Sequence, residues 1–314
     1  MTSAMDWVSR PELPPSLGAM VSWNPQPLPL LPLAGLALAI WYCWAVRQVC
    51  RKGRQWHWFR TVSFLCGCLL LMLVTGLGIE GYGFEIFSAW MFQHLTLSMV
   101  VPPLLVLGCP GTLLLRSTPH TGWGVAVLRC ALGALRSRTA RVVLHPGITI
   151  PLFLFSYYGI YLSPVFDIVS RSWAGHTALE VFFIATGILF IVPVLSTGPL
   201  PVRQSYLGRF FDLFVEMPLH VFIGVILMMA TSPLLSTFAS PPADWGVDLM
   251  ADQQLAGALA WSYGEPVALF VVVIFAIRWR RDEERVNALD DKRSQQGDAA
   301  LAEYNDFLKS LHRG

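Results

Sequence analysis

The sequence has few charged residues for its length. Only 13% of its 314 residues are charged, whereas soluble domains have about 25%, and 54% are hydrophobic. The formal net charge of +2 is too small to indicate nucleic-acid binding. This composition predicts an integral membrane protein.

Cysteines in predicted outer loops, and enzyme motifs, are also lacking. None of the six cysteines falls in a predicted outer loop, which argues against a disulfide framework. The N-terminal residues lack the basic region and cleavage site of a signal peptide. There is no nucleophile elbow, H-E-x-x-H motif or phosphate-binding glycine loop. We therefore expect a protein that is not an enzyme.

The sequence contains several long apolar runs. A helix needs about 20 mostly apolar residues to cross a bilayer. The runs are continuous rather than alternating, which predicts helices. The fold is therefore predicted to be an all-α integral membrane protein, a seven-transmembrane helix bundle. Its spans are 28–48, 59–78, 87–108, 146–163, 174–195, 212–232 and 253–277. A tail at 1–27 precedes them, and a charged tail follows at 278–314.

The distribution of basic residues predicts the orientation of these spans. With the N-terminus outside, all lysines and arginines except Arg10 and Arg171 fall on the inner side. The N-terminus is thus predicted to be outside and the C-terminus in the cytoplasm. Apolar and basic residues alternate at helical spacing in 121–143, which predicts an amphipathic helix lying on membrane lipid at the inner surface.

Polar and sulfur-containing side chains gather in the outer half of the predicted bundle. Imidazole and thioether together suit copper, especially Cu(I). The candidate metal ligands are Met91, His94, His176, Glu180, His220 and Met228, of which His220 lies nearest the midplane. Other polar residues of the same pocket are Gln93, Asp252, Gln253 and Gln254.

Each of these residues also has a plain packing interpretation. Intramembrane histidines and carboxylates often form hydrogen bonds between helices, and methionine fills irregular gaps in cores. The sequence alone leaves both interpretations open.

Several motifs together resemble a known family. The run SAWMFQH at 88–94, followed by PPLLVLG at 102–108 and Pro110, resembles the third-helix signature of the multi-spanning CtaG family of cytochrome c oxidase assembly factors. Further matches follow in the family's order. They are His145-Pro146, His176 with Leu179-Glu180, the run DQQLAG at 252–257 with Trp261, and Arg278-Trp279.

The resemblance covers about residues 30–280 and implies a role in maturing the oxidase in a bacterial plasma membrane. It implies copper delivery to the buried copper site of the catalytic subunit, with oxidase subunit I and another copper chaperone as partners. Two positions depart from the family's pattern. Trp90, and Val181 after Glu180, stand where many members have histidine.

Two other functional classes remain open from the sequence. Helical histidines could be axial ligands of a haem, so a haem- or quinone-binding redox protein is one alternative. A metal ion transporter is the other, although the polar path stops near His220.

Overall fold

A computed structural model describes residues 8–195 and 205–311, which are predominantly helical. Within these ranges there is no β-strand, and the only β-type pairing is an isolated bridge between Trp23 and Leu77. The α-helices are α1 (Leu17–Val21), α2 (Leu30–Arg51), α3 (Trp58–Gly76), α4 (Gly78–Tyr82), α5 (Phe87–Leu95), α6 (Val101–Leu107), α7 (Pro110–Ser117), α8 (Trp123–Arg136), α9 (Arg138–Val143), α10 (Pro146–Leu154), α11 (Val165–Val169), α12 (Trp173–Leu195), α13 (Tyr206–Met229), α14 (Leu249–Ser262) and α15 (Gly264–Leu311).

Within residues 8–195 and 205–311, six helical segments are long and apolar enough to cross a membrane, which confirms the all-helical fold and supports a membrane protein. They are Leu30–Arg51, Trp58–Gly76, Phe87–Ser117, Trp173–Leu195, Tyr206–Met229 and Leu249–Gln296. Where the sequence predicts a span at 146–163, the structure has a shorter helical run at 146–161. At 1.5 Å per residue it is roughly 24 Å long, less than the hydrocarbon thickness of about 30 Å. The seventh span and the orientation stay predictions.

The third span is continuous but irregular. A π-helical turn, Thr96–Val100, joins α5 to α6, which carries the double proline. Pro102 has no N–H to donate to the Ser98 carbonyl one turn earlier. That carbonyl instead lies against Gly187 of α12, where a Cβ would come within 2.1 Å of the oxygen. The proline and the glycine thus permit a close crossing of two spans.

A second close crossing joins α13 and α14. A Cβ at Gly224 would lie 2.6 Å from the Gly257 carbonyl, and one at Gly257 would lie 2.7 Å from the Gly224 carbonyl. Small residues at a helix crossing let two backbones approach, which is a common way of packing helices in membranes.

Three connections meet at one end of the helices, which we call the predicted outer end: 77–86, 162–172 and 230–248. Aromatic side chains pack between them, with ring centroids of Phe238 5.2 Å from Phe87 and 5.4 Å from Phe166. The N-terminal segment joins this end, since Arg10 pairs with Glu85 at 3.2 Å and the Tyr82 hydroxyl donates to the Leu13 carbonyl at 2.9 Å.

Two predicted surface segments are helical. The predicted amphipathic segment forms α8 and α9, on which Arg129 and Arg136 are exposed. The chain also divides into compact units at 1–269 and 270–314. In the second unit, α15 continues to Leu311 and carries surface ion pairs such as Arg280–Glu284 at 3.4 Å.

Candidate functional site

Two helices bring a compact polar group together near the predicted outer end. Glu80 lies on α4, the short helix between the second and third spans. His176 and Glu180 lie one turn apart on α12 and therefore share a face. Each of the three offers a potential ligand atom, and these atoms all lie within 4.8 Å of one another.

All three side chains are buried in an apolar protein interior. Glu80 is 4% exposed to solvent, His176 is 1% exposed and Glu180 is 2% exposed. A buried carboxyl is costly unless it is paired, hydrogen-bonded or bound to a cation. Burial accordingly raises the pKa of the Glu80 carboxyl, and its hydrogen bonds with Glu180 and Gln93 oppose that effect.

Gln93, on α5, holds Glu80 in place. Its Nε2 donates to Glu80 Oε2 at 2.6 Å and to the Val74 carbonyl at 2.9 Å. Its Oε1 lies against Gly83, where a Cβ would come within 2.0 Å of that oxygen. The absence of a side chain at Gly83 therefore makes room for the Gln93 amide.

Two atoms in the group have no hydrogen-bond partner although they are buried: His176 Nε2 and Glu180 Oε1. His176 Nε2 is 3.6 Å from Glu80 Oε1, which is beyond a good hydrogen bond. An unsatisfied buried polar atom costs about 1–3 kcal/mol. Their convergence is what a site that accepts a ligand would require.

Aromatic rings fix the orientation of the imidazole. Phe84 stacks on His176 with ring centroids 3.7 Å apart, and Trp90 contacts the same imidazole at 4.3 Å. Trp90 thus forms a wall of the group, whereas Val181 is 49% exposed. The two positions that depart from the family's pattern therefore lie in different environments.

His94 is buried but is not part of the three-residue group. Its Nδ1 lies 2.8 Å from the Tyr161 hydroxyl, and its ring stacks on Phe183 at 3.7 Å. Trp90 contacts both Phe183 and His176, so two aromatic side chains connect the two imidazoles. The sequence placed both histidines in one pocket, and the structure gives them separate polar partners.

The remaining predicted metal ligands have varied surroundings. Met91 is fully buried on α5. Met228 packs against α14, since its Cγ would lie 2.8 Å from a Cβ at Gly257. His220 lies on α13, and its side chain is outside the described part of the structure.

The predicted polar residues at the start of the last span have identifiable contacts. Asp252 caps α5, accepting hydrogen bonds from the backbone N–H groups of Phe87 at 2.7 Å and Ser88 at 3.2 Å. Gln253 Oε1 accepts from the Leu234 N–H at 2.8 Å. Gln254 is exposed.

Sequence reasoning missed Glu80, because it lies just beyond the predicted end of the second span at residue 78. The high cost of a buried ionisable group singles out residues within the spans, and Glu80 lies in the short connection that follows. A signal was present nonetheless: Glu80 is a single carboxylate within the otherwise apolar, glycine-rich run LGIEGYGF at 77–84.

The described fold and the buried group define a helical membrane protein with a candidate metal-binding site. A family model described as cytochrome c oxidase caa3 assembly factor matches residues 40–282. The chain belongs to this family, which confirms the resemblance seen in its motifs.

The chain is also similar to curated proteins whose names give no function. Uncharacterized proteins of Mycobacterium bovis and Mycobacterium tuberculosis are each 36% identical over 289 residues, and one of Mycobacterium leprae is 34% identical. These alignments cover 90% of this chain but 44% of each relative, so the chain spans less than half of their length. No solved structure matches the chain.

Proposed function

We propose that the chain assists delivery of copper to the buried copper site of the cytochrome c oxidase catalytic subunit. Membership of the assembly-factor family supports a role in oxidase maturation. The observation that supports copper handling is the buried group of Glu80, His176 and Glu180, whose potential ligand atoms lie within 4.8 Å of one another.

The group suits a cargo ion better than a permanent structural one. Structural metal sites are usually closed by four protein ligands, and this group offers three. A three-ligand site leaves a coordination position to which an acceptor's ligand can bind before the ion is released. Copper is the cargo in this scheme, and imidazole is one of its usual ligands.

The place of the group is consistent with exchange at one membrane face. Glu80 lies on a connection between spans, and His176 is in the first turn of α12. Basic residues predict that this end faces outward. The proposed partners are oxidase subunit I, which receives the copper, and another copper chaperone, which supplies it, in the bacterial plasma membrane.

The test is the metal content of the oxidase in cells that carry defined variants of this chain. In a strain lacking the native gene, we compare the unaltered chain with His176→Ala, and with Gln254→Ala as an exposed control. The copper-to-haem ratio of the purified oxidase should fall with His176→Ala and stay normal with Gln254→Ala. Normal copper with lost oxidase activity would contradict delivery.

A further inference from the structure

The chemistry of the buried group indicates which kind of ion it accepts. We propose that Glu80, His176 and Glu180 form a site for a divalent transition-metal ion of the Cu(II) or Zn(II) class, with Gln93 as a positioning residue. The inference rests on the proposed function in one respect, namely that copper is the natural cargo. If so, copper occupies this site as Cu(II).

The donor atoms are the first reason. Two carboxylates and one imidazole supply oxygen and nitrogen, and among the described residues no cysteine belongs to the group. Sulfur ligands select Cu(I), whereas imidazole with carboxylate suits divalent ions. The Cu(I) expectation depended on Met91 and Met228, and Met228 packs against Gly257.

Charge balance is the second reason. A bound ion displaces the protons of its carboxylate ligands, so with a neutral imidazole the group supplies two negative charges to the ion in a buried place. A divalent ion neutralises them completely, whereas Cu(I) would leave one buried negative charge without compensation. Because an uncompensated charge is costly in a protein interior, the group should discriminate against a monovalent ion.

Distances are the third reason. Metal–ligand bonds to histidine nitrogen and carboxylate oxygen are about 2.0–2.2 Å, so tetrahedral ligand atoms are roughly 3.4 Å apart. His176 Nε2 and Glu80 Oε1 are 3.6 Å apart. The whole group lies within 4.8 Å, so it needs only a small contraction to hold one ion.

Gln93 completes the arrangement without being a ligand itself. It binds Glu80 through Oε2, which leaves Oε1 on the side of His176. Hydrogen bonds that orient ligating carboxylates are worth about 10–100-fold in metal affinity. Because Gln93 is also anchored to the Val74 carbonyl, it holds Glu80 in position before the ion arrives.

Direct metal binding by the purified full-length chain, without a histidine tag and in lipid nanodiscs, tests the inference. Cu(II) should bind one ion per chain, with an electron paramagnetic resonance spectrum showing coupling to a single ¹⁴N nucleus. Zn(II) in large excess should compete for the same site, with a lower affinity than Cu(II). Cu(I), presented with a competing Cu(I) chelator, should stay with the chelator. These three measurements need no variant and so do not depend on mutants folding.

Variants then assign the site. Glu180→Gln should weaken Cu(II) binding by more than about 100-fold, and Gln93→Ala by about 10–100-fold, with the single-nitrogen signal of remaining Cu(II) altered in Gln93→Ala. Gln254→Ala should bind as the unaltered chain does. Size-exclusion profiles matching the unaltered chain establish that the variants are folded.

The outcomes separate the inference from the proposed function. Cu(I) bound in preference to Cu(II) and Zn(II) would overturn the inference, while a copper-poor oxidase in the His176→Ala strain would still support delivery. Cu(II) binding that is indifferent to Glu180 and His176 would also overturn it. If Cu(II) and Zn(II) bind tightly and depend on Glu180, the metal site is supported. If the oxidase of the His176→Ala strain is nevertheless fully loaded with copper, delivery is contradicted.

Discussion

Gln93 Nε2 donates a hydrogen bond to Glu80 Oε2 at 2.6 Å, linking the third span to the short helix that precedes it. This one contact places a carboxylate from a connection between spans against His176 and Glu180 of α12. The candidate site therefore depends on how α4, α5 and α12 pack together, and several of the contacts that hold it can be tested separately.

Gly83→Ala should disturb the site without altering any of its polar atoms. The new methyl would lie 2.0 Å from Gln93 Oε1, so the amide must move and its bond to Glu80 must weaken. Gly83 has φ −61°, which alanine adopts freely, so the effect is steric. We expect about 10-fold weaker Cu(II) binding, measured by titration in nanodiscs.

Gly111→Ala is the matched control for that variant, because a Cβ at Gly111 has no atom within 4 Å. Equal affinities for the two alanine variants would show that Gln93 does not position Glu80.

Gly187→Ala should destabilise the helix packing itself. Its Cβ would lie 2.1 Å from the Ser98 carbonyl and 2.7 Å from Pro102 Cγ, so α12 would have to move away from the third span. Overpacking of this kind costs about 1–3 kcal/mol. The thermal unfolding midpoint in detergent should fall, whereas Gly133→Ala, with nothing within 4 Å, should leave it unchanged. A midpoint as high as that of the control would argue against the close crossing.

Asp252→Ala should loosen the start of α5. The aspartate accepts from two backbone N–H groups and from the Ser88 hydroxyl at 2.5 Å, which satisfies donors that a helix N-terminus leaves free. Losing such a cap costs about 0.5–2 kcal/mol. Hydrogen exchange at Phe87 and Ser88 should accelerate in Asp252→Ala and remain slow in Gln254→Ala. Hydrogen exchange that is equally slow in both variants would contradict a capping role for Asp252.

Asp167 should make the predicted outer end sensitive to acid. Burial alone would raise the pKa of this carboxyl, but hydrogen bonds from Thr237 and Ser236 outweigh it and lower the pKa. Its stabilising contribution is thus complete above its unfolded pKa of about 3.9 and is lost as the pH falls through the lower folded value.

The unfolding midpoint of the unaltered chain, compared with Asp167→Asn across pH, isolates this group. The two midpoints should differ fully at neutral pH, begin to converge as the pH falls below about 4, and meet only below the lower folded pKa. A difference that grew on acidification would contradict the assigned direction.

The membrane spans were predictable because continuous apolar runs are local features of the chain. The exact lengths of the spans were harder to predict. The run at 146–163 contains Pro151 and a π-helical turn, Phe155–Gly159, and its helical part is shorter than predicted. Family motifs around His94 and Glu180 identified the family, since such motifs do not depend on three-dimensional contacts.

The composition of the site was predictable only in part. His176 and Glu180 share a helix face, and four-residue spacing reveals that. Glu80 joins them because its side chain on α4 lies 3.6 Å from the His176 imidazole of α12, and no periodicity records that contact. Conversely, Met228 seemed suited to a metal by chemistry alone, yet the Gly224–Gly257 crossing brings it against α14.

Glu80→Gln gives the most direct test of the central claim, because it keeps the shape of the side chain and removes one charge from the group. In cells that depend on this chain, we expect oxidase with a reduced copper-to-haem ratio, although the variant reaches the membrane at normal levels. Gln254→Ala should give a normal ratio. A normal ratio in the Glu80→Gln strain would contradict the account that copper passes through the Glu80–His176–Glu180 group.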